Sequence, residues 1–208
     1  MVRLDEFSLE IDPEHTAIIV VDMTDVFVAE GAELETPAAR EMVPRLGEVV
    51  DASRDAGIDV IYLRPYNRPS GADSGQLRTI TPQVFDGIYQ DTTIYEGLEP
   101  EEEDVIIPKQ TYNGFHGTEL DSVLRTLDIE TVVITGTRTH ICPDSTLRGA
   151  FFRGYQVVAI EDLVATADIP DQGWGDISHE TLDKVWYSTV ATNFGDVIDS
   201  EEYLELIE

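Results

Sequence analysis

The chain has 208 residues, enough to bury one extensive core, and its 13 Lys+Arg against 42 Asp+Glu give a formal charge of −29. Such a field repels phosphate backbones and anionic lipids, whose binding depends on Lys and Arg displacing counterions, so roles on nucleic acid or on a membrane surface are disfavoured. The carboxylates are spread over EEED, SEEYLE and many isolated positions. This suits a surface solvated in high salt, as in a halophile, where the Debye length falls to ~3 Å near 1 M. There is no run of 18 apolar residues, and the stretch MVRLDEFSLEIDPEH is charged throughout, so a soluble, cytoplasmic protein is expected. The single cysteine, Cys142, rules out an internal disulfide and a multi-cysteine zinc site. It is either buried filler or a reactive thiol.

In chain order, TAIIVVD from Thr16 to Asp22 is a near-continuous β-branched run, the pattern of a central parallel strand covered on both faces. Pro37 opens a helical pattern with Met42, Leu46, Val49 and Val50 on one side and Gly57 as its stop. A second strand follows at 58–63. Residues 64–91 carry repeated Pro, Gly and Ser with weak periodicity, which marks an active-site loop. Val105 to Ile107 reads as a strand ending in Pro108-Lys109, and GTELDSVLRTLD as a helix leading to the strand TVVITG at 131–136. Pro143 suits the first turn of a helix that closes at Gly154 before the strand YQVVAI. SHETLDKVWYSTVAT is helical, GDVID is a short last strand, and SEEYLELI is a final helix. Alternating strands and helices imply a parallel sheet with helices on both faces, in one domain over 1–208.

In an open parallel sheet, ligands bind beyond the carboxyl ends of the strands. Asp22 ends the first strand, Lys109 follows the third, and Cys142 follows the fourth at the start of a helix, so all three are expected at one rim. A helix N-terminus and a nearby cation both lower a thiol pKa from its ordinary ~8.5, which favours thiolate. Asp22 is the candidate base for the thiol proton and the later acid for a leaving amine. This role requires it to be desolvated, because an ordinary aspartate, with pKa ~3.9, is a weak base. Lys109 would hold Asp22 by charge and steady the developing anion. Taken singly, each residue has an ordinary structural reading; the joint placement carries the assignment.

In these stretches the sequence resembles the isochorismatase-like cysteine hydrolases, from Thr16 to about Ile207. TAIIVVDMTDVFV resembles that family's first strand with its aspartate at Asp22, although the usual Gln-Asn after the Met is here Thr24-Asp25. IIPKQTYNGFHGTELDSVL carries the strand-end lysine at Lys109. TVVITGTRTHICPDSTLRGAFFRGYQVVAIEDLVAT resembles the nucleophile segment with Cys142, apart from Gly149 at a position often acidic. The resemblance implies a three-layer α/β/α sandwich with a mainly parallel, Rossmann-like sheet, assembled into homo-oligomers. It also implies a cis peptide between Thr137 and Arg138, with the N–H groups of Arg138 and Cys142 as an oxyanion hole. Cys142 would attack a carbonyl carbon, an amine would leave, and water would hydrolyse the thioester, with no cofactor.

Within the family, a cysteine argues against a vinyl-ether-cleaving isochorismatase and favours an amide or ureido carbon. Nicotinamidases carry an Asp-x-His metal cluster after the second strand, whereas YLRPYNRPSGADSG has no histidine. Nor do His15, His116, His140 and His179 have a ligand spacing, so no metal is expected. Arg64, Arg68 and Arg138 lie near the expected rim and suit a substrate carboxylate. Phe27, Tyr112, Phe115 and Trp174 are candidates for the apolar wall of the pocket, and His116 and His140 for its polar lining. The expected partner is a small amide or carbamoyl compound. A nicotinamidase with an altered metal site and a catalytically silent oligomeric binding protein are the alternatives.

Overall fold

The computed structural model describes residues 9–80 and 87–208. Residues 81–86 of the 64–91 loop and the first eight residues, part of the charged N-terminal stretch, lie outside the described residues. Six strands form one sheet: β1 (Thr16–Val21), β2 (Asp59–Pro65), β3 (Val105–Lys109), β4 (Thr131–Thr137), β5 (Gln156–Ala165) and β6 (Asp196–Ile198). The order is β3-β2-β1-β4-β5-β6 and every pairing is parallel. The chain winds outward from β1 in both directions, so the switch point lies between β1 and β4, where the crevice of such a sheet opens.

Eight helices are described: α1 (Asp25–Val28), α2 (Pro37–Glu41), α3 (Val43–Asp55), α4 (Leu77–Ile80), α5 (Leu120–Thr126), α6 (Cys142–Phe151), α7 (His179–Asn193) and α8 (Ser200–Ile207). Strand periodicity sorts them into two layers. Ile18 and Val20 of β1 face Met42, Leu46, Val49 and Tyr203, so α2, α3 and α8 cover that side. Ala17, Ile19 and Val21 face Leu120, Leu147 and Trp186, so α5, α6 and α7 cover the other. All six residues of β1 are buried, as its unbroken β-branched run requires. The result is a three-layer α/β/α sandwich with an all-parallel sheet.

Three details differ from the sequence reading. The helix opened by Pro37 is two helices that meet at Met42. Pro44 stands in the first turn of α3, where its missing N–H costs nothing, but in one continuous helix its ring would strike a carbonyl of the preceding turn. Strand β5 runs on to Ala165, because its register against β4 slips after Ile134 and then recovers at Gly136↔Val164 and Thr137↔Ala165. The short α1 follows from Asp25, whose Oδ1 accepts from Val26 N at 2.9 Å and from Thr93 N at 3.1 Å. The unusual Thr24-Asp25 pair thus ties the end of β1 to the segment around Thr93, which also bridges Thr24 to Ile94. Pro108 is accommodated because β3 is an edge strand. Gly149 leaves room for the Asn113 amide, whose Oδ1 would lie 2.7 Å from an added Cβ.

Candidate active site

The site is built where β1, β3 and β4 end. Asp22 leaves β1 with φ +56, a conformation that aspartate tolerates better than most residues, and its N–H donates to Leu63 O at 2.9 Å. Gly136 makes the neighbouring approach possible. It has φ +109, and a Cβ there would lie 2.0 Å from Val21 O, the residue just before Asp22. Beyond Gly136 the Thr137–Arg138 peptide is cis, where the family resemblance places it. The turn that follows is closed by Ile141 N donating to Arg138 O at 2.8 Å and delivers Cys142 as the first residue of α6. At that position its N–H has no intrahelical acceptor.

These turns bring three distant side chains together. Lys109 Nζ lies 2.8 Å from Asp22 Oδ2 and 3.4 Å from Cys142 Sγ, and it also donates to Thr111 O at 3.0 Å. Asp22 is fully buried, Lys109 is 3 % exposed and Cys142 6 %. By angle, neither Asp22 oxygen accepts a well-formed hydrogen bond, so charge rather than hydrogen-bond geometry holds the carboxylate against Lys109. Burial pushes the Asp22 pKa up, and the opposing pull of Lys109 and Cys142 does not cancel it. For Lys109 burial pulls down, but Asp22 and Cys142 outweigh it and the net shift is upward. The thiol departs from the sequence expectation: burial and the Asp22 charge raise its pKa, and the pull of Lys109 is the smaller effect. Lys109 and Asp22 thus stand at ion-pair distance, and burial together with the Asp22 charge disfavours a thiolate beside them.

Beside the three lies a cavity of about 100 Å³. A model of the isochorismatase domain matches residues 16–202. The chain belongs to the isochorismatase family. Among its relatives in that family, ureidoacrylate amidohydrolase RutB from Methylorubrum extorquens is 30 % identical over 92 % of this chain and 86 % of its own length. A cysteine hydrolase from Pseudomonas syringae pv. phaseolicola superposes with a TM-score of 0.93 at 37 % identity, covering 96 % of this chain and 95 % of that one. The N-carbamoylsarcosine amidase of Thermoplasma acidophilum superposes with a TM-score of 0.71 at 28 % identity, covering 89 % and 96 %.

The other candidate residues divide. Phe27 and Tyr112 line the cavity with the three central side chains, and so does Arg138. The Arg138 guanidinium is held by Thr36 Oγ1 at 3.2 Å and Leu34 O at 2.9 Å, and burial lowers its pKa. Arg64, Phe115, His140 and Trp174 are not in the lining. Arg64 turns to donate to Thr92 O at 2.6 Å, which anchors the segment crossing over β1. Phe115 is packed in the core, stacked on Tyr155 with ring centroids 6.0 Å apart. His140 pairs through Nδ1 with Thr166 Oγ1 at 3.0 Å, and burial lowers its pKa. Trp174 is 88 % exposed on the far loop. Arg68 faces Asp73 on the surface, and His116 opens onto a separate shallow groove.

The lining also includes Asn67, Leu77 and Tyr89 from the 64–91 loop and Leu34 and Ile141 from the turns after α1 and β4. Nothing in the sequence of the loop singles out these side chains. Among the described residues no three His, Cys, Asp or Glu side chains come together as a metal site would need.

Proposed function

We propose that this chain is a hydrolase of the C–N bond in a small amide or in an N-carbamoyl or ureido acid, with Cys142 as nucleophile, Asp22 as proton carrier and Lys109 as their electrostatic support. The observation that carries the proposal is the buried contact of Lys109 Nζ with both Asp22 Oδ2, at 2.8 Å, and Cys142 Sγ, at 3.4 Å, on the wall of a cavity. The names of the family relatives, a ureidoacrylate amidohydrolase and an N-carbamoylsarcosine amidase, support the bond class.

The chemistry follows from the charges. Asp22 takes the thiol proton as Sγ bonds to the carbonyl carbon, so negative charge moves from the carboxylate to the substrate oxygen. Its raised pKa makes that transfer easier than for an ordinary aspartate. The amides of Arg138 and Cys142 receive the oxyanion. The C–N bond breaks as Asp22 returns the proton to the leaving nitrogen, which departs as ammonia from a carbamoyl NH2. Water then attacks the thioester, or the thiocarbamate formed from a carbamoyl group, as Asp22 takes its proton; the C–S bond breaks and Asp22 passes that proton to sulfur, which restores the thiol and the carboxylate. Lys109 stays charged throughout. Nothing in this sequence calls for a cofactor.

An anionic substrate is favoured by Arg138. Its guanidinium lines the cavity without an ion-pair partner among the described residues, in a chain of net charge −29. Carboxylate binding there would be two-pronged. Action in the cytoplasm and assembly into homo-oligomers, with 1–208 as one domain, belong to the same proposal.

The test is ammonia release from a panel of N-carbamoyl acids, ureido acids, simple primary amides and nicotinamide. The expected result is turnover of carbamoyl or ureido acids that is abolished in Cys142→Ala, together with an acyl adduct on Cys142 seen by intact mass. Turnover that survives in Cys142→Ala, or turnover of no compound in the panel, would overturn the proposal, and turnover of nicotinamide alone would overturn the preference for carbamoyl or ureido acids.

A further inference from the structure

Among the described residues, the buried polar side-chain atoms without a partner belong to Asp22, Thr24, Asn67, Ser74, Thr139 and Asp183. Only two of these residues line the cavity: Asp22, whose carboxylate the chemistry uses, and Asn67. Asn67 is 2 % exposed and follows β2, so it stands beside the end of β3 that supplies Lys109. Its Nδ2 donates to Gln110 O at 3.4 Å. That contact fixes the orientation of the amide, since the reversed amide would set two acceptor oxygens against each other. Oδ1 is consequently left as a buried acceptor with no donor. An unsatisfied buried acceptor is destabilising, so one on the wall of a ligand cavity calls for a donor from whatever binds there.

We propose that Asn67 is a specificity-determining residue whose Oδ1 accepts a hydrogen bond from an N–H of the substrate. The inference rests on the reading of the chain as an amide or ureido hydrolase, and deepens it. In the lining, Arg138 and Lys109 only donate, and Phe27, Leu34, Leu77 and Ile141 are apolar. Tyr89, Tyr112, Gln110 and Thr111 also carry acceptor oxygens, but Asn67 Oδ1 is the one neutral lining acceptor, among the described residues, that is buried without a donor, and so the one placed to distinguish a carbamoyl N–H from an ester oxygen or an N-alkyl group. A site built around such a bond rejects an analogue that lacks the donor, because the acceptor is then buried unpaired.

The test uses the full chain carrying Cys142→Ala, so that binding is read without turnover. N-carbamoylglycine is titrated calorimetrically against its two N-methyl isomers, one methylated on the inner and one on the terminal nitrogen. The protein with Asn67 intact is expected to bind the parent at least tenfold more tightly than one of the isomers. With Asn67→Leu added, a substitution of similar size that removes the orphan acceptor, the three ligands should bind within about twofold of one another, and the melting temperature should hold or rise. A residue with a purely structural role would lower the melting temperature and leave the preference among ligands unchanged. The proposal is overturned if the three bind equally with Asn67 present, if the preference persists in Asn67→Leu, or if none of them binds. Turnover by the wild-type chain without N–H preference would sink the role of Asn67 alone. N-H-selective binding by a chain that hydrolyses none of the panel would sink the hydrolase reading and leave Asn67 standing.

Discussion

Gly136→Ala offers a measurable link between sheet geometry and the reacting groups. The added Cβ would meet Val21 O at 2.0 Å and Val21 N at 2.7 Å, the first of these about 1.4 Å inside the shortest ordinary contact of 3.4 Å. Both contacts are to backbone of β1, which is buried along its whole length and paired on both sides, so no side chain can swing aside to relieve them. The residue would also have to hold φ +109 with a Cβ. Strain of that backbone kind costs about 1–3 kcal/mol, and overpacking in a closed core costs about 1–3 kcal/mol more. A loss of about 4 kcal/mol is therefore expected, a large part of the ~5–15 kcal/mol that holds a typical domain together. The shift would fall on Val21, so Asp22 moves with it, and its 2.8 Å contact with Lys109 does not survive a displacement near 1 Å. Activity should fall about a hundredfold even where the protein remains folded. Urea denaturation followed by tryptophan fluorescence gives the first quantity, and kcat/KM on a responsive carbamoyl substrate gives the second. A destabilisation below about 1 kcal/mol with activity intact would refute the claim that Gly136 sets the distance between β1 and β4 at the site.

Two further substitutions test the charges. In Lys109→Met, Asp22 loses the cation that holds its pKa down, and the variant should be about 3–5 kcal/mol less stable than the wild type at neutral pH, as for a broken buried ion pair. The pH dependence has a definite sign. A carboxyl whose folded pKa is raised binds its proton more tightly when folded, so the stability it contributes is present in acid and is lost as pH rises through the folded pKa. The deficit of Lys109→Met should therefore shrink as pH falls, in paired urea titrations, and a deficit independent of pH would contradict it. In Asp22→Asn the thiol keeps Lys109 at 3.4 Å but loses the negative neighbour that raises its pKa. Iodoacetamide should alkylate Cys142 faster at neutral pH than in the wild type, while amide hydrolysis is lost for want of a proton carrier. Slower alkylation in Asp22→Asn would contradict the reading that the Asp22 charge holds the thiol pKa up.

The fold was legible because its signals are local. The β-branched run at 16–21, the prolines at 37 and 143 and the alternation of strand and helix each depend on neighbours a few residues away. The split at Met42 was missed because Pro44 reads equally as a first-turn residue and as an interruption, and only the packing of α3 decides. The rim positions of Asp22, Lys109 and Cys142 were legible too, since a parallel sheet places strand ends together whatever their separation in sequence. The pocket lining was not. Arg64 reads as a receptor for a carboxylate, but its side chain direction is set by Thr92 O, which lies 28 residues further along the chain. Asn67, Leu77 and Tyr89 reach the cavity through the 64–91 loop, whose path is fixed by contacts such as Thr92 Oγ1 to Pro65 O at 2.8 Å rather than by any periodicity.

The protonation of Cys142 is where local reasoning and the assembled site part most instructively. A cysteine at a helix start beside a lysine reads as a thiolate, and each of those influences is real. The assembled site adds Asp22, fully buried and 2.8 Å from the same lysine, so the positive charge is already matched. A thiolate would place a second negative charge in a site with one cation, and burial makes that costly. A neutral thiol beside a paired lysine and aspartate would leave the site with no net charge until a substrate carbonyl received the electrons. In the proposed reaction the charge would move from Asp22 through sulfur to the substrate oxygen without a net change, leaving on Asp22 the proton that the leaving nitrogen needs. On that proposal, burial of the three side chains, which alone would mark Cys142 as filler, is the condition that would couple nucleophilic attack to proton delivery.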